Sequence, residues 1–457
     1  MSTSFTLSGG LVLCGTPPRL QELDVVVSEG RITELIARPH EFRAVDPPID
    51  VSGRLVLPGL INGHTHSYGQ VCRHLAVDGR LEEWMPRALI AGGALDSSAL
   101  RLAAKLNALD NLRHGVTASL DHASLPAEAL QEVVEGYDEV GARVVLALQV
   151  SDRPATEWLP SLDPGDRFAV HLRRQLPPPA SAAELSARTK QLVEIVSGRS
   201  RITAQVGPSA PDRCTPRLLD QLSETAHEHG LGIHTHLAET ELQSQTDGIE
   251  TLQQHQLLGA RTTVAHAIHL NRHDRERLAR AAVTVVHDPL CNLLLGSGSA
   301  QLDEFVRAGI TVGLGTDGWP TGGAQDILAQ ARVALGVSRT RAPSSEWLKP
   351  VDMLAMLGFG SASALGLETV IGQIAIGYKA DLLIVDPVRA NWLTAADPAD
   401  QLILGGLSAG LESVFVDGIM VLHDGRPTLL DAERIAAEAN ALAAPPPIVS
   451  ALAGLVA

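Results

Sequence analysis

Three segments of the chain bring metal-binding side chains to the edge of an apolar run. His64 and His66 follow Leu57-Pro58-Gly59-Leu60-Ile61-Asn62-Gly63, His236 lies in His234-Thr235-His236-Leu237-Ala238-Glu239, and Asp317 follows Gly313-Leu314-Gly315-Thr316. Residues two apart on a strand point to the same face, so His64 and His66 present two imidazoles to one divalent ion. An isolated His-x-His pair is weak, since core packing produces many; the three segments together, in this order, are a strong signal. His266 and His287 end two further β-type runs. A divalent ion held by such groups lowers the pKa of a water from about 16 toward about 7, so the chemistry indicated is hydrolysis at neutral pH.

Side chains so far apart in sequence meet only if the fold gathers the ends of their strands. Between about residues 58 and 367, apolar β-type runs alternate with amphipathic helical stretches, the pattern of a parallel sheet built from βαβ units. The runs are Leu60 to His66, Val116 to His122, Arg143 to Val150, Ile202 to Pro208, Gly232 to Leu237, Thr263 to His266, Val283 to His287 and Ile310 to Thr316. Helices are expected over Ser98 to Arg113, Leu125 to Glu139, Ala182 to Val196, Pro216 to His229 and Asn271 to Arg280. Eight parallel strands close a (β/α)8 barrel, whose C-terminal strand ends converge on one mouth. The fold class expected is therefore α/β.

Both chain ends read differently. Phe5 to Leu13, Leu23 to Ser28 and Arg31 to Ala37 are short strands around a Glu29-Gly30 turn, and Gly372 to Val385 with Ser413 to Leu422 repeats the style. A small β-sandwich domain from residues 1–57 and 368–430 is expected, followed by a helical tail over 431–457 that meets Pro445-Pro446-Pro447. The connection Ser151 to Pro179, rich in Pro, Asp and Arg, either shapes access to the mouth or is a solvated loop.

Composition removes several function classes. The 457 residues are 45% hydrophobic and 19% charged, with a net charge of −16 and no Lys/Arg cluster, which argues against a nucleic-acid or anionic-membrane surface. Aromatics make up 3% of the chain, too few for a base-stacking platform. Cys14, Cys72, Cys214 and Cys291 are scattered, suggesting reduced thiols rather than a zinc finger or a disulfide framework. With no long uncharged apolar run and no basic-then-apolar start, a cytoplasmic protein acting on a small molecule is expected.

The segments PGLINGHTHS, IHTHLAET, VAHAIHL, VVHDPLCNLLLGSG, VGLGTDG and GQIAIGYKADLLIVD resemble the amidohydrolase superfamily, in its branch of aminohydrolases and chlorohydrolases, and they span the chain. The resemblance implies one divalent metal, zinc favoured over iron, on His64, His66, His236 and Asp317. A second metal bridged by a fourth-strand lysine is not expected, because that strand reads Ala204-Gln205-Val206-Gly207-Pro208. Glu239 matches the family's proton-carrying carboxylate, with Asp317 touching both metal and water. His266 matches the histidine that contacts the substrate and stabilises the tetrahedral centre, with His269 as its nearest rival. His234 and His122 read as packing groups, and His287 as a residue that orients the seventh loop. Relatives of this kind imply a homodimer or larger homo-oligomer.

Departures from the family pattern bear on the substrate. Ser209 replaces a ring-contacting histidine of nucleoside deaminases, and Gly92 and Gly93 fall where those enzymes carry a ribose-gripping acid, unless Glu82 or Glu83 substitutes. Arg73, with Gln70, is a candidate for binding a substrate carbonyl or carboxylate, and Ser209 a candidate for contacting the ring. The expected activity is C–N hydrolysis, foremost deamination of an amino-substituted nitrogen heterocycle. The alternative is an amide, amidine or cyclic-amide hydrolase acting on a larger or secondary-metabolite substrate. A noncatalytic binding protein would require loss of a ligand or of Glu239, and none is lost.

Overall fold

The computed structural model describes residues 4–38, 48–73, 75, 79–159, 170, 174, 176, 178–407 and 409–443. Five strands open the chain: β1 (Phe5–Cys14), β2 (Arg19–Ser28), β3 (Arg31–Ala37), β4 (Ile49–Asp50) and β5 (Leu55–Pro58). The barrel follows with β6 (Leu60–His66), β7 (Val116–Ala123), β8 (Arg143–Val150), β9 (Ile202–Pro208), β10 (Ile233–Leu237), β11 (Thr262–His266), β12 (Thr284–His287), β13 (Thr311–Leu314) and β14 (Asp317–Gly318). All neighbours in this second group are parallel. The last two are halves of one eighth strand. Gly315 N donates to His287 O at 3.0 Å and Thr316 N to His64 O at 3.0 Å, so the eighth strand joins the seventh to the first and the barrel closes.

The alternation of side chains along β6 is broken by a register shift between Asn62 and Thr65. Asn62 and Thr65 turn outward into a buried amide and hydroxyl network with Asn111, Thr316 and Gln325, which leaves His64 and His66 facing the barrel axis. The lower barrel is filled by Ile61, Ala118, Leu120, Val145, Ala147 and Val286, packed on the short helix Ser361–Leu365. That helix offers the Ala364 carbonyl to Gln205 Nε2 and Thr263 Oγ1, closing the end of the barrel away from the histidines.

β15 (Leu382–Val385), β16 (Leu411–Val416), β17 (Ile419–His423) and β18 (Arg426–Pro427) complete the second sheet, in the order β18-β17-β16-β15-β5-β1-β2-β3 with β4 on β1. Glu29 (φ 50°) and Gly30 (φ 73°) both take positive φ, the geometry of a type I′ hairpin turn, and Asp417-Gly418 repeats it. The Phe5 and Phe415 rings lie 5.2 Å apart although two strands separate β1 from β16, a gap of about 14 Å in a flat sheet. The sheet is thus one layer curled around its own apolar core. Of the expected strand over Gly372 to Val385, only β15 forms. Gly372 (φ 95°) and Gly377 (φ 89°) interrupt the extension, and Tyr378 O and Gly377 N pair with Ile32 instead. In the C-terminal tail the helix Ala432–Ala443 packs on the helix Ser97–Arg113, and Pro445-Pro446-Pro447 lies outside the described residues.

One buried ion pair joins barrel and sheet. Arg143, at the start of β8, grips Asp381 with Nε–Oδ2 at 2.8 Å and Nη2–Oδ1 at 3.0 Å, and Asp381 Oδ1 also accepts from Asp417 N. Removing one partner strands a buried charge, so Arg143→Ala is expected to lower the unfolding free energy by about 3–5 kcal/mol in urea titrations. A loss below about 1 kcal/mol would show that the two sheets are held together by apolar packing alone.

Candidate active site

His64 and His66 on β6, His236 on β10, His266 on β11 and Asp317 on β14 meet at the C-terminal mouth, all buried. Backbone carbonyls fix two of the rings. His66 Nδ1 donates to His122 O and His236 Nδ1 to Ser209 O, each at 2.6 Å, which turns both Nε2 atoms inward to a separation of 3.3 Å. Two imidazole nitrogens that close require a cation between them, a proton or a metal ion. His64 Nε2 is buried without a hydrogen-bond partner, 3.4 Å from Asp317 Oδ1, while His66 Nε2 lies 3.1 Å from the same oxygen. Behind it, His64 Nδ1 meets His234 Nε2 at 2.8 Å. The donor set of three imidazole nitrogens and a carboxylate oxygen suits zinc, and the orphaned nitrogen fits an ion at their centre.

Electrostatics agree. Burial pushes His64 down to about 3, so its ring is neutral and free to ligate. Burial also opposes charge on His66, but the Asp317 carboxylate outweighs it and raises the pKa, drawing positive charge to that spot. For Asp317, burial alone would raise the carboxyl, yet His64 and His66 hold it well below the usual range.

Asp317 is held from behind: its Oδ2 accepts from Thr321 Oγ1 at 2.5 Å and from Cys291 Sγ at 2.7 Å, leaving Oδ1 for the histidines. Neither residue was singled out from the sequence; the signal was available, because Cys291 lies within VVHDPLCNLLLGSG and Thr321 four residues past Asp317. Outer partners of this kind tune metal affinity about 10- to 100-fold. Thr321→Val, which removes the hydroxyl at nearly constant volume, is expected to weaken zinc by about 10-fold in chelator competition, with Thr321→Ser restoring it. Equal affinity in the valine variant would mean that the thiol suffices.

Glu239 sits beyond these four side chains with its carboxyl 3.8 Å from His266 Nε2, and burial, with the nearby Asp317 charge, raises its pKa. His266 Nδ1 donates to Asn292 Oδ1 at 2.9 Å, which directs Nε2 toward Glu239. His269 is turned away, bonded to Ser297 O. His287 is buried, driven to about 3 by that burial, and touches Asn292 rather than the cavity. Ala238, His266, Ala267 and Asp317 all take left-handed backbone conformations, at φ 46°, 71°, 51° and 59°. Non-glycine residues there cost about 1–2 kcal/mol each and cluster where function over-determines the backbone. Nothing in the sequence pattern announced that strain.

A cavity of about 380 Å³ opens above these groups. Its floor is His66, His236, Glu239, His266 and Asp317, and Ser209, Gly92 and Gly93 line its side. The helix Leu81–Gly93 contributes Trp84 and Met85, while Ser151, Arg153, Ala155 and Trp158 come from the 151–179 connection, much of which lies outside the described residues. The described part of that connection walls the cavity.

Arg73 and Gln70 are not brought there. The turn Ser67–Gln70 carries the chain away from the mouth, Gln70 is buried with its amide on Asp110 and Arg73, and the exposed Arg73 guanidinium stacks 4.8 Å from the Trp319 ring. Glu83 is likewise spent, capping its own helix through Arg80 N.

A family model described as "Amidohydrolase family" matches residues 55–421. The chain is 27% identical over 445 residues to 5-methylthioadenosine/S-adenosylhomocysteine deaminase of Pyrococcus abyssi, covering 95% of this chain and 97% of that one. It is 31% identical to 8-oxoguanine deaminase of Pseudomonas aeruginosa, covering 84% and 88%. Among solved structures, atrazine chlorohydrolase of Arthrobacter aurescens complexed with zinc superposes with a TM-score of 0.84 at 24% identity, covering 96% and 99%, a likeness of fold.

Proposed function

Since the chain belongs to the amidohydrolase family, we propose that it is a single-zinc aminohydrolase that replaces the amino group of a nitrogen heterocycle with oxygen and releases ammonia. The observation that carries the reading is the pairing of Glu239 with His266 beside four converging ligand atoms. His64, His66, His236 and Asp317 would hold the ion, which supplies a water of lowered pKa as nucleophile.

The remaining steps fall to the protein. Burial raises the Glu239 pKa, which fits the carboxylate to take a proton from the attacking water and deliver it to the departing nitrogen. With Nδ1 committed to Asn292, His266 has only Nε2 with which to steady the tetrahedral carbon. The C–O bond forms first, giving the tetrahedral carbon; the C–N bond then breaks once the nitrogen is protonated, and ammonia leaves.

Relatives named as deaminases of adenosine derivatives and of 8-oxoguanine support the bond type. Within the cavity Gly92, Gly93 and Ser209 stand where a ribose and its base would be gripped, which favours a ring without a sugar. A homodimer or larger homo-oligomer and a cytoplasmic location belong to the same reading; among the described residues no helix is long and apolar enough to cross a membrane.

The test is ammonia release from the zinc-loaded protein offered aminopurines, pterins, aminopyrimidines and aminotriazines. If none yields ammonia while cyclic amides or amidines are opened, the deaminase reading falls and amide hydrolysis replaces it.

A further inference from the structure

Arg213 is a buried cation that neither the family pattern nor the catalytic scheme uses. It follows β9 in Ser209-Ala210-Pro211-Asp212-Arg213 and lines the cavity while only 4% exposed. One nitrogen, Nη1, reaches Ser209 Oγ at a long 3.4 Å, and the guanidinium stacks 4.5 Å from the Trp158 ring. Nε is buried without a partner, and among the described residues no carboxylate lies within ion-pair distance. A guanidinium taken out of water with one edge unsatisfied is costly, and a stacked ring offsets only part of that cost.

A guanidinium presents its donors as a planar fork, the shape that matches the two oxygens of a carboxylate. Arg153 and Arg188 also line the cavity; its carboxylates among the described residues are Asp317 and Glu239, on the floor, the latter near enough to feel the Arg213 charge, and Glu82 and Asp212 line a smaller cleft beside Arg213. Arg213 is also close to the chemistry, because Ser209, which takes its Nη1, holds His236 through its carbonyl.

We propose that the substrate is an amino-substituted nitrogen heterocycle bearing a ring carboxylate, which pairs with the guanidinium of Arg213 where it lines the cavity. This rests on the aminohydrolase reading and adds the group that the enzyme recognises besides the amine.

Matched pairs of rings test it: pterin with pterin-6-carboxylate, and cytosine with 5-carboxycytosine, each with the zinc-loaded wild type, Arg213→Gln and Arg213→Lys. The wild type should favour the carboxylated member by roughly 10- to 100-fold in kcat/KM, as expected for charge-assisted hydrogen bonds. Arg213→Gln should bring the pair within about 3-fold through KM, and Arg213→Lys should restore part of the preference. A wild type that deaminates neutral rings as well as carboxylated ones overturns the proposal and leaves the aminohydrolase reading standing. So does an Arg213→Gln variant that loses both members equally, since Arg213 would then only seat Trp158. Absence of ammonia from every ring, neutral ones included, removes the aminohydrolase reading and this proposal with it. Zinc content and melting temperature identify a variant that fails to fold, and the ratio within each pair is independent of the amount of active enzyme.

Discussion

Glu239→Gln is expected to keep its zinc and to lower kcat by about 10²- to 10⁴-fold. The side chain is not among the converging ligand atoms, and its neighbours would tolerate an amide, because its own backbone N–H rather than its carboxyl is bonded to Gln243. What the substitution removes is the capacity to take up a proton and return it. Burial raises the carboxyl pKa, so the wild type should lose kcat/KM on the acid side at a pH above the ordinary carboxylate range, as Glu239 becomes protonated before it can act as base. Metal analysis beside a pH-rate profile checks both halves. A glutamine variant that turns over normally would place the proton carrier elsewhere.

Asp317→Asn should have the larger effect. Asparagine matches the volume of aspartate and is one of the few residues that tolerates a left-handed backbone, so the φ of 59° gives no reason for misfolding. Thr321 Oγ1 and Cys291 Sγ can still donate to an amide oxygen at the Oδ2 position, which would leave the NH2 group facing His64 and His66. An amide nitrogen has no lone pair to give, and the negative charge that gathers the site is gone. The expected result is zinc below one-tenth of an equivalent, activity lost by about 10⁴-fold or more as water regains its ordinary pKa, and a folded protein by circular dichroism. Full activity in a metal-free Asp317→Asn variant would sink the single-zinc mechanism.

Much of this was legible in the residues. Strands such as Arg143–Val150 and Ile202–Pro208 have the bounds their sequence runs indicate, because a strand covered on both faces is mostly apolar along its length. The mouth was legible for the same reason, since His64, His66, His236 and Asp317 terminate runs that only a barrel can bring together. Proximity in sequence misled at Arg73 and Gln70. They lie a few residues past His66, but a 3₁₀ turn intervenes and Gln70 closes on Asp110 instead. Glycine spacing misled at Gly372, where two positive φ values make a loop rather than a strand. The supports of Asp317 and the strained backbone at Ala238, His266 and Ala267 depend on which loops meet across the mouth. Periodicity carries no information about that.

The wall of the cavity is set apart from the body of the barrel. Leu81, Trp84, Ala88, Cys291 and Leu295 form one small apolar cluster, and Leu159 with Met85, Leu89, Trp158 and Leu176 forms another, both distinct from the main core. Packing changes in such satellites propagate weakly to the strands, so most of the wall can vary without moving the barrel, Cys291 excepted because it bonds Asp317. In this chain the wall is set apart from the main core but still touches the reaction centre, through Cys291 at Asp317 and through Trp158 on Arg213. A new substrate preference can therefore arise by drift in the first and third βα loops at positions other than these.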